Sequence, residues 1–254
     1  EDADRWAADG LTQVDWMPNP LPLAPHTAAP SPRTERAVVS TASYEAREFG
    51  VGSGMPLRTA ARKIPDAVFL PVDHRAYDAA SREVMATLRG MPGAVVQVLG
   101  WDEAFVGVRT DDPEGYARQL QAAVLERTRL HCTVGIGDTL VRAKVATGFG
   151  KPRGVFRLTR ENWLEVMGHR PTIELWGVGR KVSRRLAQHG IETVAQLAAA
   201  DLDVLTGEFG PRMGAWGREL GRGEGASEVD DTPWVARGHS REETFQQDLT
   251  ERAD

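Results

Sequence analysis

Asp102 and Glu103 are adjacent carboxylates at the junction of two short apolar runs, Val95 to Leu99 and Phe105 to Val108. In a regular strand neighbouring side chains face opposite ways, but at a bend both can converge on one cation. Two Mg²⁺ ions about 4 Å apart need shared carboxylate ligands, so the chemistry suggested is phosphoryl or nucleotidyl transfer. Alone, an Asp-Glu at a turn is also an ordinary solvated connection.

Further residues suit a phosphate-bearing substrate. Ser40-Thr41-Ala42-Ser43-Tyr44-Glu45-Ala46-Arg47 opens a helix, where backbone N–H groups and the dipole favour an anion. Tyr44 and Arg47 share a helical face and offer a hydroxyl and a planar guanidinium fork. Lys144 and Lys151 are two helical turns apart, which puts both ammonium groups on nearly one face. They read equally as solvated lysines or a phosphate clamp. Leu175-Trp176-Gly177-Val178-Gly179-Arg180-Lys181 reads as helix, glycine hairpin, helix. There Gly177 and Gly179 let backbone amides approach a DNA phosphate while Arg180 and Lys181 add charge. Thr133-Val134-Gly135-Ile136-Gly137 lacks the third glycine of a dinucleotide fingerprint, which is therefore set aside.

The elements that would position these residues divide the chain. Six prolines from Pro18 to Pro32 block helix and ladder alike, so residues 1–37 read as irregular and 16–36 as extended or disordered. Val38-Val39 and Ala67 to Leu70 read as brief strands, and Ser43 to Phe49 and Leu57 to Lys63 as helices. Tyr77 to Arg89 has amphipathic helical spacing. Val95 to Leu99 and Phe105 to Val108 form a hairpin-like pair, Glu114 to Thr128 a helix, Cys132 to Ile136 a strand and 139–149 a helix. After Pro171 the strand signal vanishes, and Val182 to His189, Val194 to Ala199 and Leu202 to Phe209 read as short helices. The expected class is α+β, with a mixed or antiparallel sheet followed by a small all-helical domain.

A chain of 254 residues with 41% hydrophobic content can bury a core without staples, and the single Cys132 excludes an internal disulfide framework. Cys132 falls in an apolar strand, where a buried, inert thiol is expected. No run of about eighteen apolar residues suggests a membrane span, so a cytoplasmic setting is expected. The net charge of −5 opposes nucleic-acid binding on average. Between Leu140 and Gly190, however, eleven basic residues face three acids. A sequence that starts at Glu1 and stops within a charged stretch reads as a piece of a longer chain.

Taken together, Ser43 to Arg47 with Phe49-Gly50-Val51, Gly54 to Leu57, Gly100-Trp101-Asp102-Glu103-Ala104, Val134 to Gly137, Ala143-Lys144, Lys151 to Gly154 and Gly177-Val178-Gly179 resemble the Y-family of translesion DNA polymerases, especially its bacterial DNA polymerase IV branch. Order and spacing agree over about 38–249. The resemblance implies a fingers and palm region over 38–166, a helix-hairpin-helix thumb over 167–222, a linker over 223–239, and the start of a truncated little-finger domain over 240–254. It implies template-directed addition of deoxynucleotides to a primer 3′ end, with primer-template DNA and deoxynucleoside triphosphates as partners and two Mg²⁺ ions as cofactors. Asp102 and Glu103 would be metal ligands and catalytic residues. Thr41, Tyr44, Arg47 and Lys151 would hold the triphosphate, and Gly177, Gly179, Arg180 and Lys181 the DNA. A sliding clamp is a further expected partner, through a C-terminal region this sequence lacks.

The pattern departs from the family in three places, one of them the little finger, of which only the start is expected. Gly100-Trp101 stands where a Ser normally precedes the apolar residue of the Asp-Glu motif. The first motif, an apolar strand ending in Asp-x-Asp about 35 residues before Val38, corresponds in distance to Asp2-Ala3-Asp4, with no strand readable before it. Asp2 is thus the candidate third carboxylate. A nonenzymatic DNA-binding or regulatory relative with an incomplete metal site is the alternative.

Overall fold

The computed structural model describes residues 11–17, 36–233, 235, 238, 240–242 and 245. Its elements, in chain order, are β1 (Leu11–Met17), α1 (Tyr44–Glu48), α2 (Leu57–Lys63), α3 (His74–Arg89), β2 (Val95–Val98), β3 (Glu103–Gly107), α4 (Pro113–Thr128), β4 (His131–Gly137), α5 (Leu140–Gly150), β5 (Val155–Leu158), α6 (Trp163–Met167), a 3₁₀ turn (Thr172–Glu174), α7 (Arg180–Gln188), α8 (Val194–Ala199), α9 (Leu202–Phe209) and α10 (Pro211–Gly221). Two compact units emerge, one combining residues 1–19 with 75–233 and the other 20–74 with 234–254.

The first unit holds a five-stranded sheet in the order β2-β3-β1-β4-β5. β2, β3, β1 and β4 pair antiparallel and β5 joins β4 in parallel, so the sheet is mixed, in keeping with the α+β expectation. β1 corrects the reading of residues 1–37 as irregular throughout: Leu11–Met17 is the central strand, hydrogen-bonded on both sides. The prolines begin only at Pro18, so their veto on a ladder never applied to Leu11–Met17. β5 was also unforeseen, because Val155–Leu158 is too short to show a period.

Helices α3 and α4 cover one sheet face. Val84, Met85, Leu88, Leu120 and Val124 pack there on Ala104, Val106, Cys132, Val134 and Ile136. α4 starts cleanly because the Asp112 side chain accepts from the Gly115 N–H and Pro113 stands in the first turn. Cys132 is buried in this core, 2% exposed, as expected of an inert thiol.

α5 occupies the other face above β4, and Val-Gly-Ile-Gly explains how it gets so close. A Cβ added at Gly135 or Gly137 would overlap the Ala143 backbone. These glycines serve helix-on-strand packing, the physical reason the dinucleotide reading fails.

The helical region shares a core with α5: Val141, Ala146 and Leu158 pack with Trp163, Met167, Leu186, Leu197, Leu205 and Leu220. The Trp163 indole N–H donates to the Gly221 carbonyl (2.8 Å). Buried Arg142 donates to Asp138 (2.7 Å) and to the Arg222 carbonyl (3.0 Å). Residues 223–233 return along the sheet, with Leu140 N–H donating to the Ala226 carbonyl (2.9 Å) and Val229 packed on Phe105 and Ala143. Helices α6 and α10 went unread in the sequence; α7, α8 and α9 were read within two residues at each end.

The second unit is small. Val39, Ala42, Val51 and Ala60 form its core with Met55, Leu57, Ile64 and Phe69. Val38 makes only an isolated bridge to Pro56, and Ala67 to Leu70 has no regular structure, so neither expected strand forms. Val68 and Leu70 are exposed, leaving nothing to stabilise a strand there. Of the expected start of a little-finger domain over 240–254, residues 240–242 and 245 are described and carry no regular structure, and the rest lies outside the described residues. Among the described residues no helix is long and apolar enough to cross a membrane.

Candidate active site

β3 begins at Glu103, so the Asp-Glu pair straddles the strand boundary: Asp102 ends the turn and Glu103 enters the ladder. The Leu99 and Gly100 N–H groups both donate to the Glu103 carbonyl (3.0 and 3.3 Å). That closure leaves Asp102 exposed, while Glu103 is half-buried.

The ladder supplies what the sequence left open. Asp15 of β1 stands directly opposite Glu103 of β3, and on its other side opposite Thr133 of β4. Directly opposed residues in an antiparallel pair are nearest cross-strand neighbours, with Cβ atoms about 5 Å apart. Asp15 is therefore the carboxylate-bearing position beside the pair. Asp2 lies outside the described residues. Among residues whose side chains are described, no group of three or more His, Cys, Asp and Glu could hold a metal ion, and Asp102 and Glu103 make two.

Lys144 reaches down from α5 to form an ion pair with Glu103. Its side chain is 13% exposed against 34% for Glu103, so the pair is only partly screened by water. Lys151 does not share its face. It is the C-cap of α5, with φ −59° and ψ 140°, so the helix turns extended at that residue. The two-turn argument fails because it needs helical geometry through position 151.

In the smaller unit Thr41, Tyr44 and Arg47 lie together. The Ser43 side chain caps α1 by accepting from the Ala46 N–H (3.3 Å). Arg47 donates to the Ala42 carbonyl (3.0 Å) and the Thr41 hydroxyl (3.4 Å), and its guanidinium lies 5.2 Å from the Tyr44 ring centre. The buried Tyr44 hydroxyl has no hydrogen-bond partner among the described residues. Thr41, Tyr44 and Arg47 thus form one cluster with an unsatisfied donor.

The hairpin also forms. Gly177 adopts φ +92°, a conformation open chiefly to glycine, and Gly179 is the N-cap of α7 with no side-chain cap bond. A Cβ at Gly179 would meet nothing within 4 Å, so packing does not demand glycine there. The first turn of α7 has no acid and carries exposed Arg180 and Lys181, cations placed where the helix dipole disfavours them by roughly 0.3–1 kcal/mol each. A bound phosphate would relieve that cost.

Asp15 and the Lys144–Glu103 pairing were missed in the sequence. The available signal for Asp15 was Val14-Asp15, an apolar residue followed by an acid at the end of a short run. Counting back from Val38 by the family's usual distance overshot it.

Comparison with known proteins bears on the family. Residues 19–148, just over half the chain, match the family model described as impB/mucB/samB family, and residues 173–221 match the DNA polymerase-iota thumb domain. β1 precedes the first match, so the placement of Asp15 rests on sheet register alone. A protein of Mycobacterium tuberculosis named DNA polymerase IV 2 is 49% identical over 226 residues, covering 88% of this chain and 65% of the relative. DNA polymerase IV 2 of Methanosarcina mazei is 36% identical over 218 residues, covering 84% of this chain and 58% of the relative. The chain thus spans about two thirds or less of these relatives' length. Among solved structures, the insertion ternary complex of Dbh DNA polymerase superposes with a TM-score of 0.73 at 20% identity, covering 87% of this chain and 69% of that one. DinB from Sulfolobus solfataricus gives 0.72 at 21% identity with the same coverages. The chain belongs to the impB/mucB/samB family, the Y-family of DNA polymerases.

Proposed function

We propose that this chain supplies the palm, fingers and thumb of a template-directed DNA polymerase of the translesion type, which adds deoxynucleotides to a primer 3′ end. One observation carries the reading: the register that sets Asp15 opposite Glu103, one residue from Asp102. Three carboxylates on neighbouring positions of adjacent strands are the donor set that hard divalent cations require.

Y-family DNA polymerases are in general divalent-metal dependent. The residues here fit such ions, since all three donors are hard oxygens and Asp102 is exposed to an incoming cation. Asp15, Asp102 and Glu103 would hold two Mg²⁺ ions. When bound, these would stabilise the charge on the attacking and departing oxygens of an in-line displacement.

The chain's own residues do the rest. Lys144 balances the Glu103 charge and keeps the carboxylates from repelling one another. Thr41, Tyr44 and Arg47 are the group that would bind triphosphate oxygens, with the idle Tyr44 hydroxyl as a ready donor. Lys151 would add a further charge to that task. Gly177 and Gly179 would offer backbone amides to DNA phosphate, with Arg180 and Lys181 beside them. Primer-template DNA and deoxynucleoside triphosphates are therefore the proposed substrates.

Primer extension with Mg²⁺ tests this directly. The chain is expected to extend a primer as its template instructs, and Asp102→Ala to abolish extension without loss of DNA binding. A chain that binds DNA yet never extends it would favour a nonenzymatic DNA-binding relative.

A further inference from the structure

Phe105 lies two residues beyond Glu103 on β3, on the same strand face, and the indole of Trp176 stands edge-on against its ring with centroids 6.3 Å apart. Phe105 is 1% exposed, yet Trp176 keeps 44% of its surface open. The hairpin that carries this indole is held from the other side. Trp216 of α10 sits so close beneath the turn that a Cβ at Gly177 would stand 3.1 Å from its ring. The turn beside Trp176 is thus closely packed, while the indole itself is only partly covered.

Its location gives the open surface a use. Two residues along a strand span about 7 Å, so Phe105, against which the indole stands, lies one such step from Glu103, and Trp176 itself adjoins the Gly177–Gly179 hairpin in the chain. Trp176 precedes Gly177 and touches Phe105, so it links the hairpin to the strand that bears Glu103, and a DNA strand held at both would run near it. Wide aromatic surfaces beside a nucleic-acid path pack on sugars and bases with little sequence preference. Trp101 is also exposed, at 49%, but it leans on Tyr77 of α3, the helix that covers the opposite sheet face.

We infer that Trp176 is a positioning residue for the primer, its open indole surface packing on one of the last two nucleotides before the 3′ end. This rests on the polymerase reading above and adds to it a contact that aims the reacting end at the carboxylates. Arg180 and Lys181, in the first turn of α7, place positive charge beside the same hairpin.

Photo-crosslinking tests it. A primer carrying 5-iododeoxyuridine at its last or next-to-last position, annealed to a template and irradiated in complex with the unaltered chain, is expected to label the peptide containing Trp176. Labelling elsewhere, or labelling of Trp176 only when the iodinated base is in the template, overturns the inference. In parallel, Trp176→Ala is expected to weaken primer-template binding about 5- to 20-fold while leaving the nucleotide KM at saturating DNA unchanged. Trp176→Phe, which keeps an aromatic ring against Phe105, is expected to stay within about threefold of the parent. An indole that merely props the hairpin would lower the melting temperature of Trp176→Ala without changing the DNA affinity of the folded protein, and that result also overturns the inference. Failure of the unaltered chain to bind primer-template at all would fell the polymerase reading itself, whereas binding without the crosslink defeats only the role of Trp176.

Discussion

Lys144 of α5 and Glu103 of β3 form an ion pair across the sheet face that also carries Phe105 and Val229. The ammonium occupies charge that a divalent cation would otherwise claim. Removing such a competitor from a partly exposed carboxylate is worth about 1 kcal/mol. Lys144→Ala is therefore expected to tighten Mn²⁺ binding several-fold in a calorimetric titration, with the gain shrinking as salt is raised. Weaker metal binding in the variant would show that Lys144 does not compete for Glu103.

The close seat of α5 on β4 yields a second expectation. A Cβ at Gly135 or Gly137 would overlap the Ala143 backbone, whereas one at exposed Gly148 in the same helix meets nothing within 4 Å. Gly135→Ala or Gly137→Ala should cost about 3 kcal/mol or more of unfolding free energy. Gly148→Ala should add about 0.5–1 kcal/mol by restoring helix propensity. Denaturant titration separates the three, and equal effects would mean that α5 does not depend on those glycines.

Gly177 and Gly179 differ in the same informative way. Gly177 has φ +92° with Trp216 close beneath it, while Gly179 has φ −88° and open space. Gly177→Ala is expected to destabilise the fold by about 1–3 kcal/mol. Gly179→Ala should shift stability by only about 0.5 kcal/mol yet weaken DNA binding about 5- to 10-fold, because the added methyl would stand where a phosphate approaches the backbone. Melting curves and DNA titrations on both variants check this pairing. A Gly179→Ala variant with parental DNA affinity would remove the hairpin amides from the interface.

Elements long enough to show a period, such as α3 and α4, could be read from spacing alone, as could the β2–β3 hairpin with Asp102-Glu103 at its junction. The glycine hairpin was legible because a Gly-x-Gly before a basic helix is a local pattern. What escaped was non-local. β1 runs Leu-Thr-Gln-Val-Asp-Trp-Met with no clean alternation, and its place between β3 and β4 is set by pairing with residues about ninety and more positions away. Asp15 therefore became visible only once register fixed its neighbours. Lys151 shows the opposite failure: a periodic argument was carried one residue past the end of its helix.

The proposed metal site depends on Asp15. In Mg²⁺-dependent primer extension, Asp15→Ala is expected to lose activity as completely as Asp102→Ala while keeping the parental melting temperature within about 2 °C, and Asp2→Ala to extend like the parent. Full extension by Asp15→Ala, or its loss in Asp2→Ala instead, would contradict the assignment of the β1 carboxylate to the metal site.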